Sequence, residues 1–169
     1  MINTVQHPES YQGVHEEADS LIAFHLSQSK GNIMVRGTDT EILIILLGML
    51  GKHKEEGIQG QYGQIVFDCG QGNSRRFIDV TSIHLKLEEN HEGFSRALLG
   101  LHALTGTDYT ASFYKKGKKM PFNILKSSGN SEWFEALGAM SGESQVDYGV
   151  IESFVCSLYA SPSFMDMKT

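Results

Sequence analysis

Cysteine is nearly absent: Cys69 and Cys156 are the only two in the chain. They stand far apart, in no C-x-x-C pair and no Cys/His cluster, so neither a zinc site nor a redox motif can be read from them. Two buried free thiols are the expectation. Proline is scarce, at three residues in 169, and charged residues make up only 20%, which excludes collagen-like, disulfide-framework and wholly disordered chains. Basic charge is also short. Fourteen Lys and Arg against 20 Asp and Glu give a formal charge of −6, so no global field draws a polyanion and any nucleic-acid contact has to be local. Long apolar runs are missing as well. The longest, Ile42 to Leu50, contains Gly48 and stops well short of the ~20 residues a bilayer requires. The opening MINTVQHPESYQG has no basic segment followed by an apolar one, as a secretory leader would. These absences predict a chain without a membrane span, nuclear or cytoplasmic in location.

What is present suits a folded domain. Hydrophobic residues make up 40% of 169, enough for one core and too little chain for two independent modules. Residues 1–14 read as a flexible lead-in. From His15 the spacing of Ala18, Leu21, Ile22, His25 and Leu26 predicts a helix ending near Ser29. Asn32 to Arg36 reads as a buried strand, and TEILIILLGMLGKH as a buried helix with Thr40 as N-cap. Residues 51–63 read as a glycine-rich loop, and Gln64 to Cys69 with Arg76 to Val80 as a hairpin. Thr81 is expected to cap a short helix, followed by a helix over Glu92 to Thr105 with Phe94, Ala97, Leu98, Leu101 and Leu104 on one face. A basic glycine-centred turn then leads into a helix near Pro121, and further helices are expected at Ser131 to Met140 and Tyr148 to Tyr159. The sum is an α/β chain whose front half alternates helix and strand and whose back half is helical.

Five acids occupy element ends. Glu17 and Asp19 open the first helix, Asp39 and Glu41 sit at a strand-to-helix junction, and Asp108 follows the helix ending at Thr105 and Gly106. Carboxylates gathered at the carboxyl edge of a sheet repel one another, and a hard divalent cation with oxygen ligands relieves the repulsion. The plainer reading is that they are helix-start acids complementing the dipole. Lys115, Lys116, Lys118 and Lys119 around Gly117 read either as a phosphate contact or as a solvated loop. His15, His25, His84 and His102 show no metal spacing and read as core or surface residues, and Trp133 with Phe134 as core.

Taken in order, HEEADSLIAFH, NIMVRGTDTEILIILL and ALLGLHALTGTDYTASFYKKGKKMPFNIL resemble the acidic blocks of the flap-endonuclease (XPG-like) branch of the PIN-like nucleases. Glu17-Ala18-Asp19 matches the E-A-E helix start, and Asp39-Thr40-Glu41 the D-x-D that follows a strand twenty residues later. Gly106-Thr107-Asp108-Tyr109 matches the G-x-D-Y turn, and Gly117 with Lys118 and Lys119 the end of a helix-hairpin-helix. The likeness spans residues 15–126. The chain also resembles animal proteins of mobile-element (transposon) origin that carry HEEADT, DTDVLVLL, LHALTGCDTTS and FVCLLYG strings.

The resemblance implies an incomplete PIN-like, flap-endonuclease-like sheet with flanking helices over 15–128, including a helix-hairpin-helix-like segment, and a helical extension over 129–169. It implies Mg2+ or Mn2+ held by Glu17, Asp19, Asp39, Glu41 and Asp108, those same acids being catalytic in phosphodiester hydrolysis of DNA or RNA. Lys115, Lys116, Gly117, Lys118 and Lys119 would bind the nucleic acid. Three departures accompany it. The family's first strand and its acids precede the E-A-E helix, whereas only residues 1–14 do so here, which leaves room for a partner chain that completes the fold. Glu41 replaces an Asp, and Pro121 removes an amide from the hairpin. The alternative is a non-catalytic interaction module that retains the nuclease fold.

Overall fold

A computed structural model describes residues 18–55, 62–107, 110–142 and 145–160. The elements run α1 (Ala18–Gln28), β1 (Gly31–Gly37), α2 (Glu41–Glu55), β2 (Tyr62–Cys69), β3 (Arg76–Asp79), α3 (Val80–Asn90), α4 (Phe94–Thr105), α5 (Lys119–Ser128), α6 (Ser131–Ala139) and α7 (Tyr148–Tyr159). The architecture is mixed α/β, with seven helices and one three-stranded sheet of order β1-β2-β3 among the described residues. β1 and β2 run parallel, with α2 as their crossover, and β3 returns antiparallel as the second arm of a hairpin.

The strands alternate as a sheet buried on one face must. Ile65, Phe67 and Cys69 of β2 enter a core with Leu46 and Leu47 of α2, Val80 of α3, Phe94 and Leu98 of α4, and Leu137 and Phe154 of the last two helices. The opposite face is different. Met34 is 64% exposed and Phe77 59%. β1 was expected to be a buried strand; it is instead the outer strand of the described sheet, its apolar Ile33 and Val35 only half-buried against the core. An apolar tripeptide fits either an edge or a central strand, and only the sheet order separates them.

The predicted loop over 51–63 is corrected too, since α2 continues through Glu55. Gly51 is not a breaker. A Cβ there would lie 2.7 Å from the backbone nitrogen of Arg96, and one at Gly48 would overlap the Leu99 side chain, so both glycines let α2 and α4 approach closely. Likewise Thr81 does not cap α3. Asp79 does, accepting the Ser82 N–H at 2.9 Å, while Thr81 Oγ1 accepts the Ile65 N–H at 2.8 Å. The N-cap of α4 is Gly93, which has no side chain to cap with, and Glu88 supplies the acceptor by taking the N–H groups of Gly93 and Ser95. Cys69 is buried as expected, whereas Cys156 on the outer side of α7 is exposed. No described helix is long and apolar enough to cross a membrane.

Candidate functional site

The site begins where β1 ends. A side chain at Gly37 would overlap Ile42, so glycine there allows α2 to fold straight back over the strand. Asp39 Oδ1 accepts the Glu41 N–H at 2.8 Å and so orders the turn into α2. The pairings of Gly48 with Leu99 and Gly51 with Arg96 set α2 and α4 antiparallel. That register carries the first turn of α2 to the last turn of α4, and Glu41 to His102.

Three side chains from three elements meet there. Glu41 Oε1 lies 3.3 Å from His102 Nε2 and 3.4 Å from Lys118 Nζ, and Lys118 Nζ lies 3.1 Å from His102 Nδ1. An ammonium can only donate, so Nδ1 accepts from Lys118 and the imidazole hydrogen sits on Nε2, facing Glu41. The group borders a cleft of about 430 Å³ between α2, α4 and the start of α5, with Asp39, Thr105 and Lys119 on its polar wall and Leu98 and Ile44 on its apolar one. Lys118 and Lys119 also line a shallower groove with Gly117, Met120 and Asn123.

The predicted residues divide. Asp39, Glu41, Lys118 and Lys119 come together at the cleft, whereas Gly117 lines only the shallower groove. Lys115 and Lys116 turn to aromatic rings instead, Lys115 Nζ lying 5.1 Å from the Tyr114 centroid and Lys116 Nζ 4.8 Å from that of Tyr159. Lys115 also has a left-handed backbone, φ 56°, which costs a non-glycine residue energy. Glu17 and Asp108 lie outside the described residues, and Asp19 begins α1 with its side chain outside them. The described residues contain no group of three or more metal-ligating side chains. The expected helix-hairpin-helix is reduced as well: residues 110–118 are a connection without a helix of their own, so α4, a turn and α5 are what the segment provides.

His102 was missed by sequence reasoning. The available signal was its position one helical turn before Gly106, at the same helix end as the third acidic block. Asp68 was missed as well. It is almost fully buried on β2 and takes a bidentate pair of bonds from Arg75, Nε to Oδ1 and Nη2 to Oδ2 at 2.8 Å each, with Arg36 Nε 3.8 Å away. Those bonds hold the Asp68 carboxyl below the usual carboxylate range, against the opposing effect of burial. Asp79 is lowered mainly by the N–H of Ser82 and the Gln64 amide.

A mixed α/β domain with a polar cleft at the carboxyl end of its parallel strand pair is therefore the class that fold and site define. Comparison of the chain with known protein families, curated proteins and solved structures finds no match.

Proposed function

We propose that the chain is a nuclease-like domain of PIN-like, flap-endonuclease-like type that acts on the phosphodiester backbone of DNA or RNA with Mg2+ or Mn2+. One observation carries the reading: Glu41, from the second acidic block, and Lys118, from the basic segment, share a cleft with His102, one turn from the third block. Segments that the resemblance ties to one chemistry are thereby neighbours in space, at the strand ends where α/β proteins place their sites.

The donor chemistry fits a hard cation. Asp39 and Glu41 offer carboxylate oxygens two positions apart in sequence, and a cation bound there would take the place that the Lys118 ammonium now holds beside Glu41 Oε1. Glu17, Asp19 and Asp108 would complete the set. When bound, the metal supplies a nucleophilic hydroxide and neutralises charge on the phosphate. The chain's own residues do the rest: Lys118 and Lys119 hold phosphate oxygens, and His102 Nε2–H orients the Glu41 carboxylate.

The pairing of Glu41 with Lys118 favours a second reading, a non-catalytic module in which the ammonium stands where a metal would. Incubation of labelled single-stranded and duplex DNA and RNA with the protein in Mg2+ or Mn2+ separates the two. Cleavage that stops in chelator and in Asp39→Asn supports the nuclease. Tight binding without cleavage, and no manganese-induced line broadening that Asp39→Asn removes, would leave the module.

A further inference from the structure

The sheet has a face that no described helix covers, and its upper row is chemically specific. Arg36 of β1, Asp68 of β2 and Phe77 of β3 lie side by side in register. Arg75, just before β3, reaches back over this row. Its guanidinium forks onto Asp68 and lies 5.1 Å above the Phe77 ring. Arg76 turns to the other side, where its Nε donates to Cys69 Sγ.

Three properties follow. The two bonds to Asp68 fix the plane of the Arg75 guanidinium, and three of its five N–H donors have no partner among the described residues. The guanidinium carbon lies over the Phe77 ring, and the Arg75 side chain is 44% exposed, so part of the group faces solvent. Arg36 stands beside it, its side chain 70% exposed. Two guanidiniums against one carboxylate leave this row positive, in a chain of net charge −6. Asp79, lower on the same face, keeps its negative charge and takes neutral donors from Gln64 and Ser82, so the positive charge is confined to the upper row. The apolar part, Met34, Val66 and Phe77, is small. A flat guanidinium on an aromatic ring stacks a nucleobase, and a neighbouring arginine fork matches a phosphate.

We propose that the open face of the sheet binds an unpaired nucleic-acid strand, one base stacking on Arg75 above Phe77 and an adjoining phosphate taken by Arg36. This surface lies across the sheet from the cleft. Arg36 is only three residues before Asp39, so the two Cα atoms are at most about 11 Å apart. A strand held here thus passes close to the cleft. The inference goes beyond the nuclease reading and does not need it, because binding is read without metal.

The test is fluorescence polarisation of the full chain with labelled oligo-dT and oligo-U of about ten nucleotides, and with a duplex, in chelator at low salt. Phe77→Ala, at an exposed position, removes the ring beneath Arg75 and should weaken single-strand binding by about 5-fold, the lower end for a lost stacking contact, and leave duplex binding unchanged. Arg36→Gln should lower the salt slope by about one unit. Arg75→Lys keeps the charge and loses the plane, so it should reproduce the Phe77 effect. Lys118→Gln, in the cleft, should leave the Phe77 effect intact. The proposal is overturned if the parent does not bind an unpaired strand, if Phe77→Ala binds as the parent does, or if single-strand and duplex affinities fall together. A dimer that Phe77→Ala dissolves, without strand binding, would assign the face to protein instead. Absence of cleavage in Mg2+ alongside these binding results would remove the nuclease reading alone.

Discussion

Gly100 of α4 lies so close to the carbonyl of Leu137 in α6 that no Cβ fits between them. The clash is with backbone, which cannot turn aside as a flexible side chain does. Gly100→Ala should therefore force the two helices apart and destabilise the fold by about 1–3 kcal/mol. At Gly117 an added Cβ meets nothing within 4 Å and the backbone angle is open to any residue. Gly117→Ala should be neutral, or stabilising by about 0.4–1 kcal/mol through the unfolded chain. Urea melts of the two variants check the contrast; equal effects would mean that helix propensity, and not α4–α6 contact, sets the cost.

Lys118 and Glu41 form a solvent-facing pair, with side-chain exposures of 51% and 30%. Such pairs contribute about 0–1 kcal/mol, so Lys118→Gln should barely move the melting temperature. The same change should weaken nucleic-acid binding, and Lys118→Gln with Lys119→Gln should do so more than Lys115→Gln with Lys116→Gln, whose ammonium groups already lie over rings. Salt titrations of the two double variants give the comparison. A larger loss from the Lys115 and Lys116 pair would move the contact out of the cleft.

Acid sensitivity should come from Asp68 and Asp79. Both are lowered in the folded chain, so on acidification the unfolded chain takes up these protons first. Their contribution is fully present above roughly pH 4, the unfolded carboxylate range, and is lost as pH falls through the lower folded values. Melting temperature should be flat with respect to these two groups above about pH 5 and fall steeply below pH 4. In Asp79→Asn, whose side chain still caps α3, the acid-side slope should be shallower. An unchanged slope would mean that other carboxylates carry it.

The two thiols should react very differently. Cys156 is exposed on α7 and Cys69 is buried under Arg76. A maleimide should label one thiol quickly in the native protein and the second only in denaturant. Fast labelling of both would contradict the packing of β2.

Much of the fold was legible because its signals are local. α6 and α7 start where expected, since Asn130 accepts the N–H groups of Glu132 and Trp133, and Asp147 those of Gly149 and Val150. These caps depend on a few adjacent residues. The end of α2 was misread because a glycine-rich stretch reads alike as a loop and as a run of contact points, and only the approach of α4 decides. Half of the cleft was legible for the same reason: Asp39 and Glu41 mark a strand-to-helix turn in any fold. His102 was not, because a lone histidine on a helix acquires a role only from what faces it, here Glu41 and Lys118, the latter sixteen positions away.

By itself the sequence determined the order of the elements, the starts of α6 and α7, the α/β class and the segments that hold concentrated charge, because periodicity, caps and turns act over one or two helical turns. The tertiary structure alone decided which strand lies at the edge, which sheet face stays open, which lysines face the cleft and which lie over rings, and that Asp68 is buried under Arg75. Each of these turns on a contact between distant residues. Periodicity gives a residue its side of an element, but what stands opposite depends on how the elements pack.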